Sequence, residues 1–171
     1  MHQLPAGQRA KKQTVSAARS PRALSSWLIG GLIFAADQLT KAFIVSALAP
    51  GESRPLIPNL LHLTHVQNTG AAFGLFKGRQ LLFIVLTIGV ILWLLRELRR
   101  PSLPRAMRWG CALVVGGAAG NLLDRWRLGY VVDFIDLRVW PVFNVGDSAI
   151  TVGIALLCLR SLRAARQSKV S

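Results

Sequence analysis

The chain is 171 residues long, a length that usually holds one domain. It carries 21 Lys and Arg against 7 Asp and Glu, a formal charge of +14, yet 52% of its residues are apolar and its mean hydropathy is +0.43. So much apolar sequence excludes a disordered basic tail, and basic residues grouped in blocks between long apolar runs exclude a soluble nucleic-acid binder. Two cysteines exclude a disulfide-stapled scaffold or a Cys-rich zinc module. Both, Cys111 and Cys158, lie in apolar runs and read as small buried hydrophobes. The composition is that of a membrane protein.

A helix of about 20 largely apolar residues crosses a bilayer core about 30 Å thick. Residues 1–23 are polar and basic and are expected to form a disordered tail. The first span is expected at 24–48, interrupted by Asp37, Gln38 and Lys41. Its basic leader and the run Ala47-Leu48-Ala49 suggest a cleavable signal peptide, but the apolar stretch is too long for one and holds two charges. An outer segment over 40–80 includes a strand expected at 56–66. The second span, 81–95, has Thr87 as its only polar side chain, and Pro101 and Pro104 then mark a short turn. The third, 107–123, is rich in glycine, with Gly116 and Gly120 at a spacing that lets helices approach closely.

A second outer segment, 124–144, alternates like a strand from Val131 to Trp140 and stops at Pro141. The fourth span is expected at 145–159, followed by a basic tail over 161–171. Trp27, Trp93, Trp109, Trp126 and Trp140 fall near span ends, as in an aromatic belt. The expected fold is an all-α membrane protein: four transmembrane helices in a domain over 24–160, with a small extracytoplasmic β element.

Fourteen of the 21 basic residues lie before the first span, in the loop between spans two and three, or after the fourth span from Arg160 on. That bias places both termini and the middle loop in the cytoplasm, and it favours contact with anionic lipid headgroups.

The acidic residues are Asp37, Glu52, Glu97, Asp124, Asp133, Asp136 and Asp147, and every Asp falls at or beyond the outer end of a span. Carboxylates there are costly and mark an internal partner or a functional site. Helical spacing puts Gly117, Asn121 and Asp124 on one face, and also Asn144 with Asp147; Asp37 and Lys41, four apart, can pair. A metal site lacks ligands, because His2, His62 and His65 have no acidic neighbour at ligand spacing; His62 and His65 read as surface or strand residues. Proton or ion coupling would place carboxylates nearer the bilayer midplane. Two aspartates sharing one proton, working as acid and base, fit better. Asp124 reads as the ion-pair partner of Arg125, and Asp136 as a solvated residue on the strand face opposite Asp133.

Five motifs follow one another: Asp37-Gln-Leu-Thr-Lys41, Asn68-Thr-Gly-Ala-Ala-Phe73, Gly117-Ala-Ala-Gly-Asn-Leu-Leu-Asp-Arg125, Val131-Val-Asp-Phe134 and Phe143-Asn-Val-Gly-Asp-Ser148. In this order, over about residues 24–160, the chain resembles lipoprotein signal peptidase (signal peptidase II), an aspartyl protease family of the bacterial inner membrane. The resemblance implies an endopeptidase that removes signal peptides from prolipoproteins by cutting just before a diacylglyceryl-modified Cys. It implies Asp133 and Asp147 as the catalytic pair, and Asn68, Gly120, Asn121, Asp124, Arg125 and Asn144 as supports of the site. Asp37 and Lys41 would brace the helices at its rim. It implies no cofactor and no metal, membrane lipid and lipidated substrate as partners, no nucleic acid, and a monomer.

Gly146 stands where the family usually has Ala, which is expected to weaken the start of the fourth helix by up to about 1 kcal/mol. The segment between Asp133 and Asp147 is short, which trims the outer β element. Two rivals use the same carboxylates: a small multi-span transporter or ion-coupling protein, and an assembly subunit in which the aspartates only glue helices together.

Overall fold

The structure, a computed structural model, describes residues 21–70 and 80–167. Residues 1–20 of the tail expected over 1–23, residues 71–79 with Lys77, Arg79 and the end of the second motif, and the last four residues lie outside the described residues. The described residues form four helices and three strands, in chain order α1 (Pro21–Ala47), β1 (Ser53–Ile57), β2 (Leu61–Asn68), α2 (Gln80–Leu98), α3 (Arg105–Leu128), β3 (Val131–Asp136) and α4 (Val145–Gln167).

Three of these helices, over Leu24–Ala47, Gln80–Leu98 and Val145–Arg163, are long and apolar enough to cross a membrane. Many of their leucines face outward, with Leu32, Leu39 and Leu81 each about 70% exposed, as expected of surfaces that meet lipid. Helix α3 is equally long but less apolar, and it packs against all three others. Its small residues explain this. A Cβ on Gly116 would stand 2.5 Å from the Gly30 carbonyl oxygen of α1, and one on Gly117 would strike the backbone of Gly146 at the start of α4. Only glycine lets these backbones approach so closely. Further along, Leu94 and Leu98 of α2 bury against Cys111 and Val114 of α3.

The guanidinium of Arg108, only 6% exposed, closes the turn between α2 and α3. It donates to the carbonyl oxygens of Leu98, Arg100, Pro101 and Leu103. Carbonyls at the end of α2 and in the turn behind it thereby gain a donor.

The strands form one antiparallel sheet in the order β1-β2-β3, with Val66 opposite Asp133 and Asn68 opposite Val131. The single strand expected over 56–66 is a hairpin instead: Pro58-Asn59 breaks the run, with Asn59 at φ 61°. Val132 and Phe134 of β3 bury against Ile44 of α1 and Leu48 just past its end, and seat the sheet on that helix end. The expected strand over 131–140 stops at Asp136, because Arg138 turns the chain at φ 64°. Phe143 then folds back onto Ile135 through two backbone hydrogen bonds of 2.8 and 3.1 Å. The short segment between Asp133 and Asp147 thus makes a tight return that delivers α4 to the sheet.

Several expectations need correction. Asp136 is not solvated: it is 6% exposed, accepts hydrogen bonds from Thr64 Oγ1 and the Arg138 amide, and lies 3.5 Å from the Arg138 guanidinium. Cys111 is buried as expected, but Cys158 is exposed on α4; an apolar run turned toward lipid does not bury its small members. His62 and His65 both lie on β2, and His65 is 2% exposed with Nδ1 bonded to the Leu48 carbonyl. The tryptophans do face outward, from 36% exposure at Trp109 to 76% at Trp126.

Candidate active site

Asp133 and Asp147 line one cavity of about 910 Å³, together with Asn68, Gly70, Asn121 and Arg125 and the apolar Trp140, Val142, Phe143 and Ile150. Each carboxylate arrives by a different local route. Asp133 sits mid-strand on β3 and Asp147 in the first turn of α4, just past the Phe143 return. Asn144 caps that helix: its Oδ1 accepts from the Asp147 amide at 2.8 Å, and Asp147 Oδ2 accepts from the Asn144 amide at 3.4 Å. This reciprocal pair is a capping box with Asp in the Glu position. The spacing of Asn144 and Asp147 therefore reflects a cap and the first turn behind it.

Three asparagines hold the two acids. Asn68 Nδ2 donates to Asp133 Oδ2 at 2.8 Å, Asn144 Nδ2 to Asp133 Oδ1 at 2.7 Å, and Asn121 Nδ2 to Asp147 Oδ1 at 2.7 Å. Each carboxamide is anchored by its oxygen to a donor that cannot accept: Asn68 by the Gly70 amide, Asn144 by the Asp147 amide, Asn121 by the Lys41 ammonium. With the oxygen committed, the N–H has one direction left, toward the acids. Aspartate in these positions would present a second acceptor to an acceptor.

Behind the asparagines lies a buried charge cluster. Lys41 Nζ is 2.7 Å from Asp37 Oδ2, 2.9 Å from Asp124 Oδ2 and 2.8 Å from Asn121 Oδ1, so its three donors are all used. Asp37 and Lys41 do pair, as their spacing implies. Asp124, however, pairs with Lys41 and not with its neighbour Arg125; it also accepts from Gln38 Nε2 and the Val132 amide. Adjacent helical residues point in different directions, so the contiguous pair in the sequence is a poor guide. Arg125 turns instead to the cavity, with its guanidinium 5.3 Å above the Phe83 ring and a long bond to the Gly70 carbonyl. Desolvated charges of this kind are tolerable only because every one is partnered.

Asp37 does more than brace a rim. Fully buried, it accepts from the Gly146 amide at 2.8 Å and so caps the start of α4 from α1. Gly120 makes room for its carboxylate, since a Cβ there would overlap Asp37 Oδ2. Gln38, which sequence reasoning passed over as an interruption, ties Asp37, Asp124 and the Gly120 carbonyl together. Its signal was a third polar residue beside Asp37 in an apolar helix.

Gly146 proves to be a point of tight packing, where a loosened helix start was expected. A Cβ there would meet the Gly117 carbonyl at 2.9 Å, Asp37 Oδ1 at 3.0 Å and Asn144 Oδ1 at 3.1 Å. Gly146→Ala is therefore expected to lower the melting temperature despite alanine's better helix propensity of about 1 kcal/mol. A thermal melt of the detergent-solubilised protein checks this; a rise in melting temperature would show that α3 and α4 part freely.

Burial, and then the neighbouring Asp147 carboxylate, push the Asp133 carboxyl up to about 7, against the pull of the Asn68 and Asn144 donors and of Lys41. Two acids in one cavity, with one of them exchanging its proton near neutrality, can accept a proton from water and donate one to a carbonyl in the same step. Among the described residues no group of His, Cys, Asp and Glu is arranged to hold a metal ion.

The family model for signal peptidase (SPase) II matches residues 29–163. The lipoprotein signal peptidase of Moorella thermoacetica is 47% identical over 137 residues, 79% of this chain and 91% of that protein. The lipoprotein signal peptidase of Halothermothrix orenii is 45% identical over 128 residues, 75% and 88% of the two chains. A solved structure described as a bacterial membrane enzyme, determined by the in meso method at 2.3 Å resolution, superposes with a TM-score of 0.77 at 33% identity, covering 82% of this chain and 89% of that one. With residues 29–163 matched by that family model and relatives 45–47% identical over most of their own length, the chain belongs to the signal peptidase II family.

Proposed function

We propose that the chain is a membrane-embedded aspartic endopeptidase that removes signal peptides from prolipoproteins, with Asp133 and Asp147 as its catalytic pair. The observation that carries this reading is the cavity where both carboxylates converge, each held by asparagine N–H donors. One acid, as base, takes a proton from water as the oxygen attacks the scissile carbonyl. The other gives its proton to the carbonyl oxygen, forming a neutral tetrahedral diol. As the C–N bond breaks, the first acid returns its proton to the leaving amine and the second recovers one from the diol. The pair ends as it began.

The scissile bond lies just before a diacylglyceryl-modified Cys. The acyl chains lie in the bilayer between helices and hold that Cys beside the pair, so lipid acts chiefly by alignment. Arg125, which lines the cavity, meets substrate backbone in this reading. Four spans, with α3 as the central one, form the peptidase domain over 24–160, flanked by the basic tails 1–23 and 161–171, and α4 runs on into the second tail as far as Gln167. The enzyme works as a monomer in the bacterial inner membrane, with both termini cytoplasmic and the site near the outer face. The distribution of Lys and Arg supports that orientation.

The test is cleavage of one prolipoprotein in detergent or lipid, followed by gel shift, with and without its diacylglyceryl group. Only the lipidated form is expected to be cut. An intact lipidated substrate beside folded enzyme would overturn the assignment. Transport by the same carboxylates predicts flux without cleavage, and the relatives named above lend it no support.

A further inference from the structure

The two acids of the pair are not held alike. Asp133 accepts from two amides, those of Asn68 and Asn144, whose oxygens are anchored on backbone N–H groups. Asp147 accepts from Asn121, whose oxygen is anchored on a full positive charge, Lys41 Nζ, at 2.8 Å. An ammonium has only donors, so it fixes which end of the Asn121 carboxamide faces it. The Asn144 amide, 3.1 Å away, donates to the same oxygen. Two donors on the oxygen, one of them charged, polarise the amide and strengthen the N–H that it offers to Asp147. Asp147 also sits in the first turn of α4, where the helix dipole favours negative charge.

We propose that Lys41 is a positioning residue for the reaction: through Asn121 it makes Asp147 the ionised, water-activating member of the pair and leaves the shared proton on Asp133. This rests on the assignment of Asp133 and Asp147 as the catalytic pair. Lys41 touches neither acid. Its effect is carried by one carboxamide, and without it that carboxamide is free to turn its oxygen toward Asp147, which can meet an oxygen only when protonated. The charged groups around the relay are Asp37 and Lys41 on α1, Asp124 and Arg125 on α3, Asp133 on β3 and Asp147 on α4. Among them Lys41 alone bonds the Asn121 oxygen with a charge.

The experiment is the pH profile of kcat for cleavage of lipidated prolipoprotein by the full chain in lipid. Lys41→Met is expected to lower kcat by about 10²-fold with little change in KM, and to move the acid limb of the profile up by about one pH unit. Asp124→Asn leaves the Lys41–Asn121 bond in place and removes a negative neighbour of Lys41. It is expected to move the acid limb the opposite way. Lys41→Arg keeps a donor-only cation and is expected to restore part of the limb's position.

If Lys41→Met fails to fold, the direction of the Asp124→Asn shift decides alone. A uniform loss at all pH values, with the acid limb fixed in whichever variants fold, would show that Lys41 only braces the helices and would overturn the proposal. Asp133→Asn and Asp147→Asn, run alongside, separate the two levels. If either still cleaves, the catalytic pair itself is wrong; if both are inactive and the limb does not move, only the role of Lys41 is wrong.

Discussion

Asp133→Asn and Asp147→Asn are each expected to lose about 10³–10⁴-fold in kcat while remaining folded. Asparagine keeps the shape of the side chain but cannot exchange a proton. The position of Asp133 adds a pH dependence with a definite sign. Its carboxyl titrates at about 3.9 in an unfolded chain and at about 7 in the native site. Between those values the native protein binds a proton that the unfolded chain has released, so stability falls as pH rises from about 4 to about 7. Activity that requires a proton on the pair is likewise lost as pH rises through about 7.

In Asp133→Asn this contribution is removed, and the melting temperature should change less between pH 5 and pH 8 than in the unaltered protein. The slope is the informative quantity, because the new amide also faces the N–H donors of Asn68 and Asn144 and shifts absolute stability. Thermal melts across that range, together with the cleavage assay, check both parts. A variant as pH-dependent as the parent would show that Asp133 does not titrate in this window.

Arg108→Ala should cost on the order of 3 kcal/mol of stability with catalysis little altered at low temperature. The buried guanidinium serves four carbonyl oxygens at the turn between α2 and α3, and alanine leaves them all without that partner. Arg108→Lys should recover little, since an ammonium cannot span the arc that the planar fork covers. The site is far off: Arg108 and Asn121 are separated by about 20 Å at about 1.5 Å per helical residue. Denaturation and cleavage, measured on the same preparations, should therefore separate. Parallel loss of both at low temperature would mean that the turn reaches the acids.

The apolar helices were legible because hydropathy over 20 residues is a local property, and the acids were legible because charge is conspicuous in such a setting. The turn at Pro58-Asn59 was also local, but it was hidden inside an apolar run that read as continuous. What escaped was pairing at a distance. Lys41 chooses Asp124, 83 positions along, over nothing that the sequence displays, and Arg125 stands beside Asp124 without bonding it. Arg108 counted only as one basic residue of a loop, whereas its burial depends on how α2 and α3 dock. Gly146 was weighed by helix propensity alone, and its cost was outweighed by a neighbouring backbone that no local rule brings near.

The buried cluster also bears on how the protein meets membranes of different thickness. Lys41, Asp37, Asp124 and the start of α4 clamp three helices together at one end. Helices α1 and α4, of 27 and 23 residues, measure about 40 and 35 Å, longer than a hydrocarbon layer of about 30 Å. A thinner or thicker bilayer must be accommodated by tilt or by adjustment at helix ends. The clamped end cannot slide without separating ions that have no water to receive them. Adjustment falls to the opposite end, where Arg160, Arg163 and Arg166 can extend along α4 to keep their charges in water. Hydrophobic mismatch is thus absorbed away from the acids, and their spacing stays constant while the surrounding lipid varies.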